Sequence, residues 1–63
     1  MKEKSKLRIA REKSGMTQYE LADKSGVSRP TIANIESGKQ KDTMTGTLIK
    51  LADALNVDVQ EIL

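Results

Sequence analysis

Residues 18–25 and 29–37 both carry apolar side chains at helical spacing, and only Gly26-Val27-Ser28 separates them. A link that short, with glycine at its first position, is the kind that joins two helices at a steep turn. Gly26 suits the left-handed conformation that ends the first helix. Ser28 suits the cap that opens the second, with Val27 and Ile32 at the two staple positions around it. Pro30 falls in the first helical turn, where its missing N–H costs little.

The same signals recur along the chain. Thr17-Gln-Tyr-Glu20 is a capping box, flanked by Met16 and Leu21 as a staple. Asp58-Val-Gln-Glu61 repeats the pattern, flanked by Val57 and Ile62. Gly15 and Gly38 suit helix ends, as does Asn56. A first helix is expected from Glu3 to Ser14, with Leu7, Ala10 and Arg11 on one face. A second runs Gln18 to Ser25, with Leu21 and Ala22 inward, and a third runs Arg29 to Ser37. After a polar loop, Lys39 to Thr43, a fourth places Leu48, Leu51, Ala52 and Leu55 at i, i+3, i+4 and i+7. Its cap is either Thr43 or Thr45. A last helix is expected from Val59 to Leu63. Five short helices on short links predict an all-α, compact orthogonal bundle, one domain over residues 1–63. A domain this size buries only roughly 60% of its unfolded surface, so its core is small.

Composition excludes several functions. With no cysteine or histidine, the chain lacks thiolate metal ligands and the commonest general base. It shows no glycine-rich phosphate loop, and its carboxylates are scattered over helix surfaces, so neither an enzyme nor a metal or other cofactor is expected. Tyr19 is the only aromatic residue, which supplies stacking on unpaired bases poorly. No apolar run is long enough to span a bilayer or act as a signal peptide, and a cytoplasmic, non-membrane protein is expected. Net charge is +2, unevenly placed. Residues 1–13 hold six cations against Glu3 and Glu12, a net +4. That basic arm suits a polyanionic partner, and Lys2, Lys4, Lys6 and Arg8 would add salt-sensitive phosphate contacts.

Counting from Gln18 as the first position, Ala22 is fifth, Gly26 ninth, Val27 tenth, Ile32 fifteenth and Ile35 eighteenth. This spacing resembles the helix-turn-helix of the phage lambda repressor and Cro type, the XRE family. The likeness extends through Leu7 and Arg11, Gly15-Met-Thr-Gln18, Glu20-Leu-Ala22, Val27-Ser28, Thr31-Ile32, Ile35-Glu36-Ser-Gly38-Lys39, Leu51-Ala-Asp-Ala-Leu55 and Val57. The resemblance implies a five-helix lambda-repressor-like domain that binds double-stranded DNA and regulates transcription. The chain departs from some relatives at Thr43 and Met44, where they carry a cation that reaches the minor groove.

The third helix has two sides. At about 100° per residue from Arg29, Ala33 lies near 40°, Ser37 near 80°, Pro30 near 100° and Asn34 near 140°. Ile35 and Ile32 fall near 240° and 300°. In a helix-turn-helix the outward side enters the major groove, N-terminal residues first. Arg29 is then placed to pair with a guanine and Asn34 with an adenine, while Pro30 and Ala33 offer apolar surface to a thymine methyl. Arg29 stands at the helix tip with no expected partner inside the protein. Phosphate contacts are expected from Thr17 and Gln18 at the start of the second helix. Ser28, Thr31 and Ser37, with Lys39 and Lys41 in the following loop, complete that set. By resemblance, Arg11 pairs with Glu36 and positions the third helix.

One such monomer makes too few contacts for tight specific binding, so a homodimer on a palindromic operator is expected. Val59, Ile62 and Leu63 are the candidate dimer contacts. The function read from the sequence is a sequence-specific DNA-binding regulator, a repressor. The alternative is a protein-interaction module or antitoxin-type adaptor on the same fold.

Overall fold

The computed structural model describes residues 5–39 and 45–63, Thr45 by its backbone alone. Helix α1 spans Lys6–Lys13, α2 Gln18–Ser25, α3 Arg29–Ser37 and α4 Thr45–Leu55, and a 3₁₀ turn follows at Val59–Glu61. The described residues form no strand. The fold is all-α, as the caps predicted, and α2 and α3 have the expected bounds.

Three boundaries differ from expectation, each for a local reason. Helix α1 starts at Lys6, not Glu3, because extended Ser5 caps it: the Ser5 hydroxyl accepts from the Arg8 amide at 3.1 Å. Thr45 lies within α4 and so is not its cap, while Thr43 lies outside the described residues. The last segment is a 3₁₀ turn, not a two-turn α-helix. Its bonds run i→i+3, from the Glu61 amide to the Asp58 carbonyl (2.9 Å) and from the Ile62 amide to the Val59 carbonyl (3.1 Å). Glu61 reaches back to accept from the Asp58 amide at 2.9 Å.

The helix ends follow the glycine and asparagine signals. Gly15, Gly26, Gly38 and Asn56 all have positive φ. After α4, the Val57 amide bonds to the Ala52 carbonyl (3.0 Å) and the Asn56 amide to the Asp53 carbonyl (3.1 Å). This is the paired arrangement that satisfies the last helical carbonyls. Gly26, at φ 76°, ends α2 with one bond to Ala22 and lets the chain enter Ser28 at once.

Packing runs in a closed circuit. Helix α1 lies on α3, α3 on α2, α2 on α4, α4 on the 3₁₀ turn, and the turn returns to α1. At its centre Leu7, Leu21, Ile32 and Leu51, one from each helix, are fully buried. Ala52, Ala54, Leu55, Val27 and Ile62 extend this core, with Ala22, Ile35, Leu48 and Val59 packed around it. Ile62 is only 4% exposed. That corrects its place among the dimer contacts: the 3₁₀ turn rotates it into the monomer's own core. Leu63 is the outward one, at 65%.

A core with one fully buried large side chain per helix has little redundancy. Leu21→Ala should cost about 3 kcal/mol, a large share of the stability of so small a domain. Gly26→Ala should cost about 1–2 kcal/mol, and all of it is backbone strain, since a β-carbon there meets nothing within 4 Å. Urea unfolding at unchanged m-value measures both.

Candidate nucleic-acid interface

Helix α3 is held from behind. Ile32 is fully buried and Ile35 is packed against the core, while Pro30, Asn34 and Ser37 are exposed and Ala33 is half-buried. Of the side that the helical spacing predicted to be outward, Pro30, Asn34 and Ser37 are outward, while Arg29 and Ala33 are half-buried. At the start of α3, Ser28 is extended, and its hydroxyl accepts from the Thr31 amide at 3.4 Å. The Ser28 and Thr31 hydroxyls also share a 2.8 Å hydrogen bond.

Arg11 locks the far end of α3. Its guanidinium donates to both carboxylate oxygens of Glu36, Nε at 2.7 Å and Nη2 at 3.1 Å, and its Nη1 donates to the Met16 carbonyl at 2.7 Å. The side chains are 12% and 5% exposed. The fork of a guanidinium fits a carboxylate in this two-bond geometry. The Glu36 hydrogen bond and charge raise the Arg11 pKa, and desolvation opposes them. The one residue thus ties α1, the α1–α2 link and α3 together.

Gln18 is shared between two partners. Its amide nitrogen donates to Glu36 at 3.1 Å and its oxygen accepts from Arg29 Nη1 at 2.8 Å. Only one orientation of the amide satisfies both bonds. This corrects the expectation for Arg29, which does not stand free at the helix tip. Its guanidinium is bonded to Gln18 on one edge and lies over the Tyr19 ring, with Cζ 4.9 Å from the centroid. Arg29 and Gln18 stand eleven positions apart on different helices. No spacing rule joins such residues, so only the fold could reveal the contact.

The remaining site residues differ in what they have left to offer. Thr17 Oγ1 accepts from the Glu20 amide at 3.1 Å, which leaves its hydroxyl proton available to a phosphate. In the Ser28–Thr31 pair one hydroxyl proton is used and the other remains. The Ser37 hydroxyl donates its only proton to the Asn34 carbonyl at 3.1 Å, so a phosphate contact there would have to break that bond. Lys39 is exposed just beyond α3. Lys41, Lys2 and Lys4 lie outside the described residues. Lys6 is exposed, and Arg8 pairs with Glu12 at 3.2 Å. Among the described residues no group of three or more acidic side chains is placed to hold a metal ion. Nor is any helix among them long and apolar enough to cross a membrane.

Breaking the Arg11–Glu36 pair strands a nearly buried carboxylate. Arg11→Met should cost about 3–5 kcal/mol. Arg29→Ala, which loses one neutral hydrogen-bond partner and an exposed ring contact, should change stability by less than about 1 kcal/mol. Thermal unfolding of the two variants tests the contrast.

The family described as Helix-turn-helix matches residues 7–62. The chain is similar to the cryptic phage CTXphi transcriptional repressor RstR of Vibrio cholerae, 37% identical over 62 residues that cover 98% of this chain and 54% of that protein. It is likewise similar to an uncharacterized HTH-type transcriptional regulator of Archaeoglobus fulgidus, 37% identical over 59 residues, 94% of this chain and 83% of that one. Antitoxin HipB of Escherichia coli is 34% identical over 53 residues, 84% of this chain and 59% of HipB. The chain thus spans little more than half the length of the Vibrio and Escherichia relatives. No solved structure matches. With four α-helices in the right order, a glycine-initiated link between α2 and α3, and a family match across nearly its whole length, the chain belongs to the XRE, lambda repressor-like family of helix-turn-helix proteins.

Proposed function

We propose that this chain is a sequence-specific double-stranded DNA-binding regulator of transcription, a repressor, that inserts α3 into the major groove. One observation carries the reading. Helix α3 is anchored inward by Ile32, Ile35 and Glu36 and turns Arg29, Pro30, Ala33 and Asn34 away from the core. An arginine and an asparagine on the outer face of a second motif helix suit guanine and adenine edges respectively. Bound to Gln18 through Nη1 alone, Arg29 keeps donors for a two-bond contact with guanine. Thr17, Gln18, Ser28, Thr31 and Lys39 flank this face and suit the phosphates on either side, with Ser37 and Lys41 as further members of the set. The Vibrio relative's name, a transcriptional repressor, agrees with the reading.

One copy presents one α3, so a homodimer reading two half-sites about one helical turn apart is the natural arrangement. Leu63, exposed beside the half-buried Val59, is the best-placed apolar contact for it. A second reading, an antitoxin-type adaptor, draws support from the likeness to HipB. The two readings diverge on whether DNA binding is the chain's own activity.

Selection from a pool of random-sequence duplex DNA should return a palindromic motif with a guanine in each half-site. Arg29→Ala and Asn34→Ala should each cost about 1–3 kcal/mol per half-site for that duplex and relax the preference at one base pair. Lys39→Ala should weaken all sequences alike and flatten the log–log salt slope by about 0.9 for each phosphate it no longer neutralises. No enriched motif, or a motif indifferent to Arg29 and Asn34, would defeat the base-reading proposal and favour the adaptor.

A further inference from the structure

We infer that Tyr19 is a positioning residue for base recognition: its ring face holds the Arg29 guanidinium in the place from which it reads a guanine. The inference rests on α3 being the base-reading helix, and it concerns a residue outside that helix.

An arginine at a helix tip has several rotatable bonds, and holding it in one geometry costs rotamer entropy. Here that geometry is held in the protein alone. Gln18 takes one edge of the guanidinium at 2.8 Å, and the guanidinium carbon lies over the Tyr19 ring, 4.9 Å from its centroid. The first restraint fixes one nitrogen, and the second fixes where the guanidinium carbon lies over the ring. A guanine presents two acceptors side by side in the major groove, and a guanidinium meets both only when its plane lies near that of the base. The hydrogen bond alone leaves the guanidinium free to swing about it, and the ring contact narrows that swing.

Tyr19 has no competing structural duty. Its side chain is 71% exposed and lies outside the core cluster. It sits in the first turn of α2, where Thr17 and Glu20 already supply the cap. A cation over a tyrosine face within about 6 Å is a favourable pairing, and phenylalanine offers the same face. Removing the ring should therefore leave the fold intact and loosen Arg29.

The test uses the duplex that the wild-type chain selects from a random-sequence pool, and the same duplex with adenine in place of the guanine that Arg29→Ala no longer selects. The readout is the ratio of the two affinities for wild type, Tyr19→Phe and Tyr19→Leu, with thermal midpoints measured alongside. Tyr19→Leu should lower the guanine-to-adenine ratio about two- to fivefold, and Tyr19→Phe should retain the wild-type ratio. Both variants should melt close to wild type. If Tyr19→Leu weakens both duplexes equally and the ratio stands, the ring does not position Arg29 and the inference is overturned. If Tyr19→Phe falls as far as Tyr19→Leu, the hydroxyl and not the face is responsible, which also overturns it. A different result, in which Arg29→Ala selects the same motif as wild type, would defeat the base-reading proposal itself and this inference with it.

Discussion

The carboxylate of Glu36 receives three hydrogen bonds, two from Arg11 and one from Gln18, and the placement of α3 depends on them. At 5% side-chain exposure it is a charge that water barely reaches, so it tolerates that site only while its partners remain. A pair of this kind adds little net stability over an apolar replacement. Its value is that it admits one arrangement: two forked bonds at 2.7 and 3.1 Å have one good geometry. Arg11 is held in turn by the Met16 carbonyl at 2.7 Å, so α3 is referenced to α1 and to the link that leads into α2.

From Glu36 the same restraint runs outward. Gln18 is committed at both ends of its amide, and Arg29 is committed to Gln18 and to the Tyr19 ring. A continuous path of side chains therefore leads from a nearly buried charge to the exposed tip of α3. The apolar core supplies the complementary restraint. Ile32 and Ile35 keep the opposite side of α3 inside, and the closed circuit of helix contacts leaves α3 little room to roll. Hydrophobic burial supplies most of the holding force, and the polar path selects the orientation.

Much of this was legible in the residues. Thr17 with Glu20, and Ser28 before Pro30, mark helix starts because their side chains have few other favourable roles beside free backbone amides. Gly26 and Asn56 mark helix ends because few residues tolerate positive φ. The two sides of α3 followed from spacing alone. What was not legible depends on contacts between distant positions or on competition between near-equal local options. The first helix was expected to start at Glu3, and the Ser5 hydroxyl bond to the Arg8 amide starts it at Lys6 instead. The 3₁₀ turn that buries Ile62 arises from tertiary packing, which overrides a pattern that looked α-helical. The Arg29 partners lie on another helix, and the side-chain path through Gln18 has no sequence signature.

If the polar path orients α3 for recognition, the side of α3 turned away from Ile32 and Ile35 is the surface that meets DNA. Titrating isotope-labelled protein with its selected duplex, and following backbone amide shifts by NMR, probes that surface residue by residue. The largest shifts should fall at Arg29, Ala33 and Asn34 and at Thr17 to Tyr19, with Ile49 and Lys50 on α4 unmoved. Shifts centred on α4 or on the outer face of α1, with Arg29 and Asn34 unmoved, would rule that surface out.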